Sequence, residues 1–291
     1  MFRPFPLPRY LELAFLAGCI VASAQAFQDR NQTIPRGKEK KLKATIDISF
    51  GTLSLERGTS GALASVDYRE DPDEKEKLQI SYDVSGDEGL LKIRLRKSSK
   101  FWKDDDDEDR DHDRRIRIEI SGDLPVSFDV ELGAGRGNID LSGLQVSDLK
   151  VSTGASSVSL TCDEPNKIAA EDINIESGVS KFTATNLCNT NFRRLKFSGG
   201  VGAYRLDFGG KLHQSADARV EVGLGSVSVT VPRAIATKLL YDEGWLSSFD
   251  VDDDFTKERN GVYLSVDRKE DEPMLSIQIE SGLGSVKVRR K

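Results

Sequence analysis

Six segments of this chain share one template: an apolar residue, any residue, a second apolar residue, two further residues and a glycine. They are Phe128-Asp-Val-Glu-Leu-Gly133, Leu149-Lys-Val-Ser-Thr-Gly154, Ile173-Asn-Ile-Glu-Ser-Gly178, Leu195-Lys-Phe-Ser-Gly-Gly200, Ala218-Arg-Val-Glu-Val-Gly223 and Ile277-Gln-Ile-Glu-Ser-Gly282. The first five glycines step by 21, 24, 22 and 23 residues, and Ile46-Asp-Ile-Ser-Phe-Gly51 reads as an earlier copy. A fixed period of this length signals stacked coils. After each glycine comes a second alternating pair: Ile139/Leu141, Val158/Leu160, Phe182/Ala184, Tyr204/Leu206, Val227/Val229 and Val286/Val288. The gap from the second apolar residue to that pair is seven residues in five copies and nine in the copy around Gly133. Strand side chains alternate faces with period two, so an even difference keeps the inward set inward. A helix is incompatible with that period.

The expected fold is an all-β, single-stranded β-solenoid of about 22-residue repeats, with an N-terminal antiparallel sheet and C-terminal capping strands. Its inward columns are Phe128, Leu149, Ile173, Leu195, Ala218, Ile277 and Val130, Val151, Ile175, Phe197, Val220, Ile279. The glycines mark corners, where positive φ or close approach of coils excludes a side chain. Outward, the ribbon Glu131, Ser152, Glu176, Ser198, Glu221, Glu280 runs beside Asp129, Lys150, Asn174, Lys196, Arg219, Gln278. Neighbouring coils can pair these charges. Such a ribbon is either a solvated face or a flat, mixed-charge surface for a polymer or partner protein. Strands are also read at residues 78–84, 91–95 and 116–120, with a hairpin turn at Asp87-Glu-Gly89. This divides the chain into a signal peptide (1–26), a flexible leader (27–41), an N-terminal sheet (42–99), an acidic loop (100–115), the solenoid (116–231) and an insertion with cap (232–291).

The N-terminus addresses the chain for export. Arg3 and Arg9 precede the apolar stretch 13–24, and Ala24-Gln25-Ala26 is a small-x-small site for cleavage after Ala26. Leu16-Ala17-Gly18-Cys19 also reads as a lipobox that would place a lipid anchor on Cys19; Glu12 leaves that reading a short apolar core. No later window is long and apolar enough to span a membrane. Cys162 and Cys188 then remain, at nearby offsets after successive corner glycines, and an oxidising compartment makes a disulfide the expectation, with two buried free thiols as the alternative.

Composition narrows the chemistry. Charge is -6 and no basic stripe occurs, so the counterion-release term of nucleic-acid binding has little to act on. The 2 histidines, His112 and His213, leave most acid–base and metal chemistries short of parts. Asp104, Asp105, Asp106, Asp107, Glu108 and Asp109 form a weak calcium candidate, without the glycine and terminal glutamate of an EF-hand loop. A solvated acidic loop is the simpler reading. Asp252-Asp-Asp254 reads the same way. The column after the corner, Asp140, Ser159, Thr183, Arg205, Ser228, Lys287, offers no facing carboxylates for glycoside hydrolysis, and no G-x-S-x-G elbow occurs. No catalytic or cofactor-binding residue is assigned, and no cofactor is implied.

Residues 43–55, with Val126-Ser-Phe-Asp-Val-Glu-Leu-Gly-Ala-Gly135 and Asn138-Ile-Asp-Leu-Ser-Gly-Leu144, resemble the toast-rack domain and the related adhesin-type β-solenoids of bacterial envelopes. Trp245-Leu-Ser-Ser-Phe249, with the Ile277 copy, is similar to the end of cell-wall-active antibiotic response proteins. Those proteins carry the domain after several membrane helices, whereas this chain has an export signal. The resemblance implies a non-catalytic domain of the periplasm or cell surface and transfers no functional residues. The expected role is structural, adhesive or ligand-sensing, with an envelope protein or polysaccharide as partner. An envelope-stress regulator acting through a membrane protein, and a carbohydrate-active enzyme on the same scaffold, are the alternatives.

Overall fold

The computed structural model describes residues 28–59, 61–70, 77–96, 114–242, 246–266 and 272–291. In chain order its strands are β1 (Gln28–Ile34), β2 (Lys41–Arg57), β3 (Ala64–Glu70), β4 (Gln79–Ser85), β5 (Glu88–Leu95), β6 (Arg115–Ile120), β7 (Pro125–Asp140) and β8 (Gln145–Thr161). There follow β9 (Ala170–Thr185), β10 (Phe192–Asp207), β11 (Ala216–Val231), β12 (Ala236–Tyr241), β13 (Ser247–Val251), β14 (Phe255–Arg259), β15 (Val262–Ser265) and β16 (Met274–Arg290). A single 3₁₀ turn, Leu187–Thr190, is the one helical element among the described residues.

Seven long strands, β2, β7, β8, β9, β10, β11 and β16, lie parallel and in register, one per coil. Each runs through a glycine corner, which divides it into a first and a second half. The halves face one another across the core: the Phe197 ring, before the corner of β10, meets Tyr204, after it, with centroids 5.1 Å apart, and Phe182 meets Phe197 at 5.6 Å. Val151, Ile175 and Phe197 are register partners with essentially no exposure, so the aliphatic columns do line one dry interior. The all-β solenoid is the observed architecture.

Two details of the register differ from the spacing argument. The first copy sits two residues away from the expected frame: Ile46 pairs with Val130 and Gly51 with Gly135, not with Gly133. The longer gap around Gly133 is no insertion, because Gly137 stands where the next coil has Val158, and Ile139 pairs with Leu160. A Cβ on Gly137 would lie 3.1 Å from Val158. Both displacements are by two residues, so alternation of faces is preserved, which is why the pattern alone did not reveal them.

The corners use glycine in two ways. At the first corner glycine, coils nearly touch: a Cβ on Gly133 would stand 2.5 Å from the Ser49 carbonyl oxygen, and one on Gly282 equally close to that of Gly223. Two residues later the backbone takes positive φ in several coils, +134° at both Gly225 and Gly284. Gly199 has a different task, since a Cβ there would fall 2.5 Å from the Tyr204 ring. Its missing side chain is the space that the tyrosine fills, and the Tyr204 hydroxyl donates to the Gly178 carbonyl at 3.2 Å.

Short strands close both ends of the stack, as edges demand. On β2, the first half carries β5 and then β4, while the second half carries β6, β3 and β1. On β16, the first half carries β12, β15 and β14, and the second half carries β13. The N-terminal region is therefore not one antiparallel sheet: hairpin pairings are antiparallel, but β5 and β6 join the first coil in parallel. Residues 116–120 belong to this cap and not to the repeats. The expected flexible leader, 27–41, contains β1, which pairs with β3 and seals it with Ile34, 4% exposed. Its remaining residues are polar, so nothing apolar but Ile34 announced a strand. The β4–β5 turn falls at Gly86 and Asp87.

Candidate functional surface

The side chains that alternate outward on the first halves form ladders with rungs about 4.8 Å apart. Asp129, Lys150, Asn174, Lys196, Arg219 and Gln278 follow one another in register, as do Glu131, Ser152, Glu176, Ser198, Glu221 and Glu280. Charges pair along and across rungs. Lys196 reaches Glu221 at 3.3 Å, and Arg219 bridges Glu221 at 2.6 Å and Glu280 at 2.9 Å. Partial burial pushes the Glu221 carboxyl up, but Lys196 and Arg219 more than offset this and hold it below the usual range. Arg194 clasps Asp172 with both ends of its guanidinium, at 2.7 and 2.8 Å, and holds that carboxyl low as well. A depression of about 400 Å³ opens among Asp172, Asn174, Lys196, Asp217, Arg219 and Gln278.

The column after the corner also departs from expectation. Asn138, not Asp140, is the rung that precedes Ser159, and it accepts the Ser159 hydroxyl at 2.9 Å. The row reads Ser54, Asn138, Ser159, Thr183, Arg205, Ser228, Lys287 and Asp250. Facing carboxylates of the kind glycoside hydrolysis uses do not occur in it. Among the described residues, no three His, Cys, Asp or Glu side chains come together to hold a metal ion. The calcium candidates Asp104, Asp105, Asp106, Asp107, Glu108 and Asp109, with His112, lie outside the described residues, as do Cys19, Ala26 and Trp245. Among the described residues, no helix is long and apolar enough to cross a membrane.

The structure holds Cys162 and Cys188 as two buried free thiols in place of the expected disulfide. Cys162 sits just past β8 and turns its Sγ to the Glu164 carbonyl at 3.3 Å, while Cys188 lies in the 3₁₀ turn. Burial, aided by Asp140, Asp163 and Glu164, pushes the Cys162 thiol up to about 12; burial with Asp207 does the same to Cys188. A thiol so held is almost never the reactive thiolate.

One feature escaped the reading of the sequence. The residue at the apex of each corner forms its own column: Phe50, Ala134, Ala155, Val179, Val201, Leu224 and Leu283. The signal was present in Gly-Val-Gly, Gly-Leu-Gly and Gly-Leu-Gly at 200–202, 223–225 and 282–284, where glycines drew attention and the residue between them did not.

With the fold and its surfaces in view, comparison with known proteins places the chain among toast-rack proteins. Residues 23–185 match the family model for the N-terminal domain of toast_rack, DUF2154, and the protein belongs to that family. No curated protein matches the chain. Similar solved structures include a proposed cell adhesion protein of Clostridium sporogenes, 15% identical over 91% of this chain and 100% of that one, with a TM-score of 0.48. A proposed adhesin of Bacteroides fragilis is 15% identical over 91% and 98% of the two chains, with a TM-score of 0.39. Another, of Parabacteroides merdae, is 10% identical over 90% and 95%, with a TM-score of 0.30.

Proposed function

We propose that this protein is an exported, non-catalytic binding module of the bacterial cell envelope, which holds an extended partner, polysaccharide or envelope protein, along the outward ladders of its first half-strands. The in-register stacking of Lys196, Arg219 and Gln278 over successive coils carries this reading. It presents hydrogen-bonding and charged groups at one constant spacing on a rigid support, which suits a ligand that is itself extended or repetitive. The salt bridges on this face are exposed and individually weak, so a ligand can exchange with them at small cost. Export supplies the setting: the apolar stretch 13–24 and the cleavage site after Ala26 direct the chain across the membrane, with a lipid on Cys19 as the competing outcome.

The test is binding of the purified protein to isolated envelope polysaccharide, together with crosslinking to envelope proteins in intact cells. The expected result is retention on one of these, lost in Lys196→Glu/Arg219→Glu while the melting temperature stays put. Turnover of a polysaccharide that disappears on replacing one solvent-facing carboxylate would overturn the reading in favour of an enzyme. Cell fractionation of the wild type and Cys19→Ala decides between a diffusible and an anchored protein.

A further inference from the structure

Across the ridge formed by the apex column, the second half-strands turn a different face to solvent. The row that runs from Ser54 to Lys287 has a companion nearer the corner: Thr52, Arg136, Ser157, Lys181, Ala203, Ser226 and Ser285. From β2 to β16 these two rows hold four charges, Arg136, Lys181, Arg205 and Lys287, and all four are cationic. The two outward rows of the first halves, from β7 to β16, hold five carboxylates, Asp129, Glu131, Glu176, Glu221 and Glu280, against three cations. Both faces share the repeat of the coils. Only one of them is free of acid.

Pairing sharpens the difference. On the first halves, Lys196 and Arg219 are engaged by Glu221 and Glu280. On the second halves, the carboxylates stand one row further from the corner and are occupied there: Arg117 holds Glu56, the Ser142 N–H donates to Asp140 at 2.9 Å, and Lys291 holds Asp207 at 2.6 Å. Asp250, on the rung beyond Lys287, is held by Arg289. Among the described residues no carboxylate pairs with Arg136, Lys181 or Arg205, and all three are exposed. Coils that lack a cation in these rows present two hydroxyls instead: Thr52 with Ser54, Ser157 with Ser159, and Ser226 with Ser228. Cations therefore recur every one or two coils, about 5–10 Å, along a strip about 24 Å long. At the N-terminal end the rows continue onto β6 as Arg115 and Arg117, beside a depression of about 560 Å³.

A strip of this kind suits an extended glycan that bears carboxylates. Its acids find guanidinium and ammonium groups that the protein leaves unpaired, and its hydroxyls find hydrogen-bonding partners between them. The protein itself shows the pairing, since Arg194 clasps Asp172 from the neighbouring strand. Duplex nucleic acid fits poorly, because it carries a charge about every 1.7 Å of its axis. Single strands fit no better, as these rows hold no aromatic ring on which a base would stack.

We infer that the second half-strands form a docking strip for an acidic polysaccharide, whose carboxylates lie over Arg136, Lys181, Arg205 and Lys287 and whose hydroxyls meet the serine and threonine pairs. This strip is separate from the first-half ladders and stands without them. No run of basic residues announces it, because its four cations come from four different coils.

Calorimetric titration of the purified protein with polygalacturonate, in chelator and with neutral dextran as the comparison, is the test. Polygalacturonate should bind and dextran should not, and raising salt from about 0.05 to 0.5 M should weaken binding at least about tenfold. Arg136→Gln/Arg205→Gln should weaken it by a similar factor at an unchanged melting temperature, since both side chains are exposed. Lys167→Gln/Arg193→Gln removes equal charge outside the strip and should leave it intact. The proposal is overturned if polygalacturonate does not bind, or if the two double variants weaken it alike. It also falls if only Lys196→Glu/Arg219→Glu abolishes binding, which would put the glycan on the other face, or if duplex DNA displaces it completely. Binding that appears only after residues 104–109 are replaced by asparagine and glutamine would mean that the chain's own acids occupy the strip, and would overturn it too. Retention on envelope material by Arg136→Gln/Arg205→Gln would leave the proposed function of the first-half ladders standing, so the two readings can fail separately.

Discussion

The buried columns and the apex column are made by the same coils, in the same register, yet the chain treats them in opposite ways. Inside, Phe182, Phe197 and Tyr204 mesh in tilted and edge-on pairs and are almost wholly removed from water. At the apex, Phe50 is covered by the protein's own Arg114, while Val179, Val201, Leu224 and Leu283 are left bare. Apolar character alone therefore says little about burial in a solenoid; the position within the coil decides it. The same lesson holds for charge. Arg290, only 8% exposed, donates from its two terminal nitrogens at the C-terminal end, to the Ile235 carbonyl at 2.9 Å and the Arg233 carbonyl at 2.7 Å, whereas Arg194 spends its guanidinium on a partner at the surface.

Thiol chemistry gives the sharpest contrast between inside and apex. With their thiols raised to about 12, Cys162 and Cys188 should resist labelling of the native protein at pH 8, and denaturation of the chain cleaved after Ala26, which lacks Cys19, should release two titratable thiols. A cysteine at the apex, Leu224→Cys, should react about 10³-fold faster, reflecting its ordinary thiolate fraction. A single free thiol after denaturation, or none, would break this picture. The sign of the pH dependence follows. Between an unfolded thiol at 9.0 and the folded value near 12, the native state binds more protons, so stability is complete below about pH 9 and is lost as pH rises toward 12. Denaturant titrations at pH 8 and pH 11 check this, and Cys162→Ser/Cys188→Ser should flatten the slope.

Packing comes next. Phe197→Ala should lower stability by about 3–5 kcal/mol, measured by urea unfolding, because a ring shared between two half-sheets leaves a cavity. Gly199→Ala adds a methyl where the Tyr204 ring already lies and should lower stability by about 1–3 kcal/mol. If it is neutral, the tyrosine has another place to go and the tight corner is looser than described. At the far end of the scale, Leu224→Ala should change stability by less than about 0.5 kcal/mol, since an exposed side chain loses little on truncation. A large loss there would mean that the apex belongs to the core after all.

Much of the interior was legible in the sequence because two independent periods coincide: alternation within a strand and glycine between strands. Neither period reports absolute register, so the frame of the first copy and the place of Gly137 were read two residues out. The caps were harder. β1 and β13 are short and largely polar, and they acquire their strand character only from the strands they lie against, β3 and β16. The outward ladders were read correctly as columns, but their ion pairs depend on rotamers that no pattern encodes. The apex ridge was missed for a different reason. Its residues obey no alternation, because the chain there is changing direction, and the periodicity that exposes them runs between coils and not along the strand.

The corner glycines carry a consequence for how such rods change over time. Each presses against a carbonyl of the coil beneath it, at Gly133 on Ser49 and at Gly282 on Gly223, so the contact asks nothing of the neighbour but its main chain. One whole turn can be duplicated or excised without matching a side chain to a side chain at that joint. Rod length is thereby a variable that evolution can adjust in single steps, while the two end pieces travel unchanged.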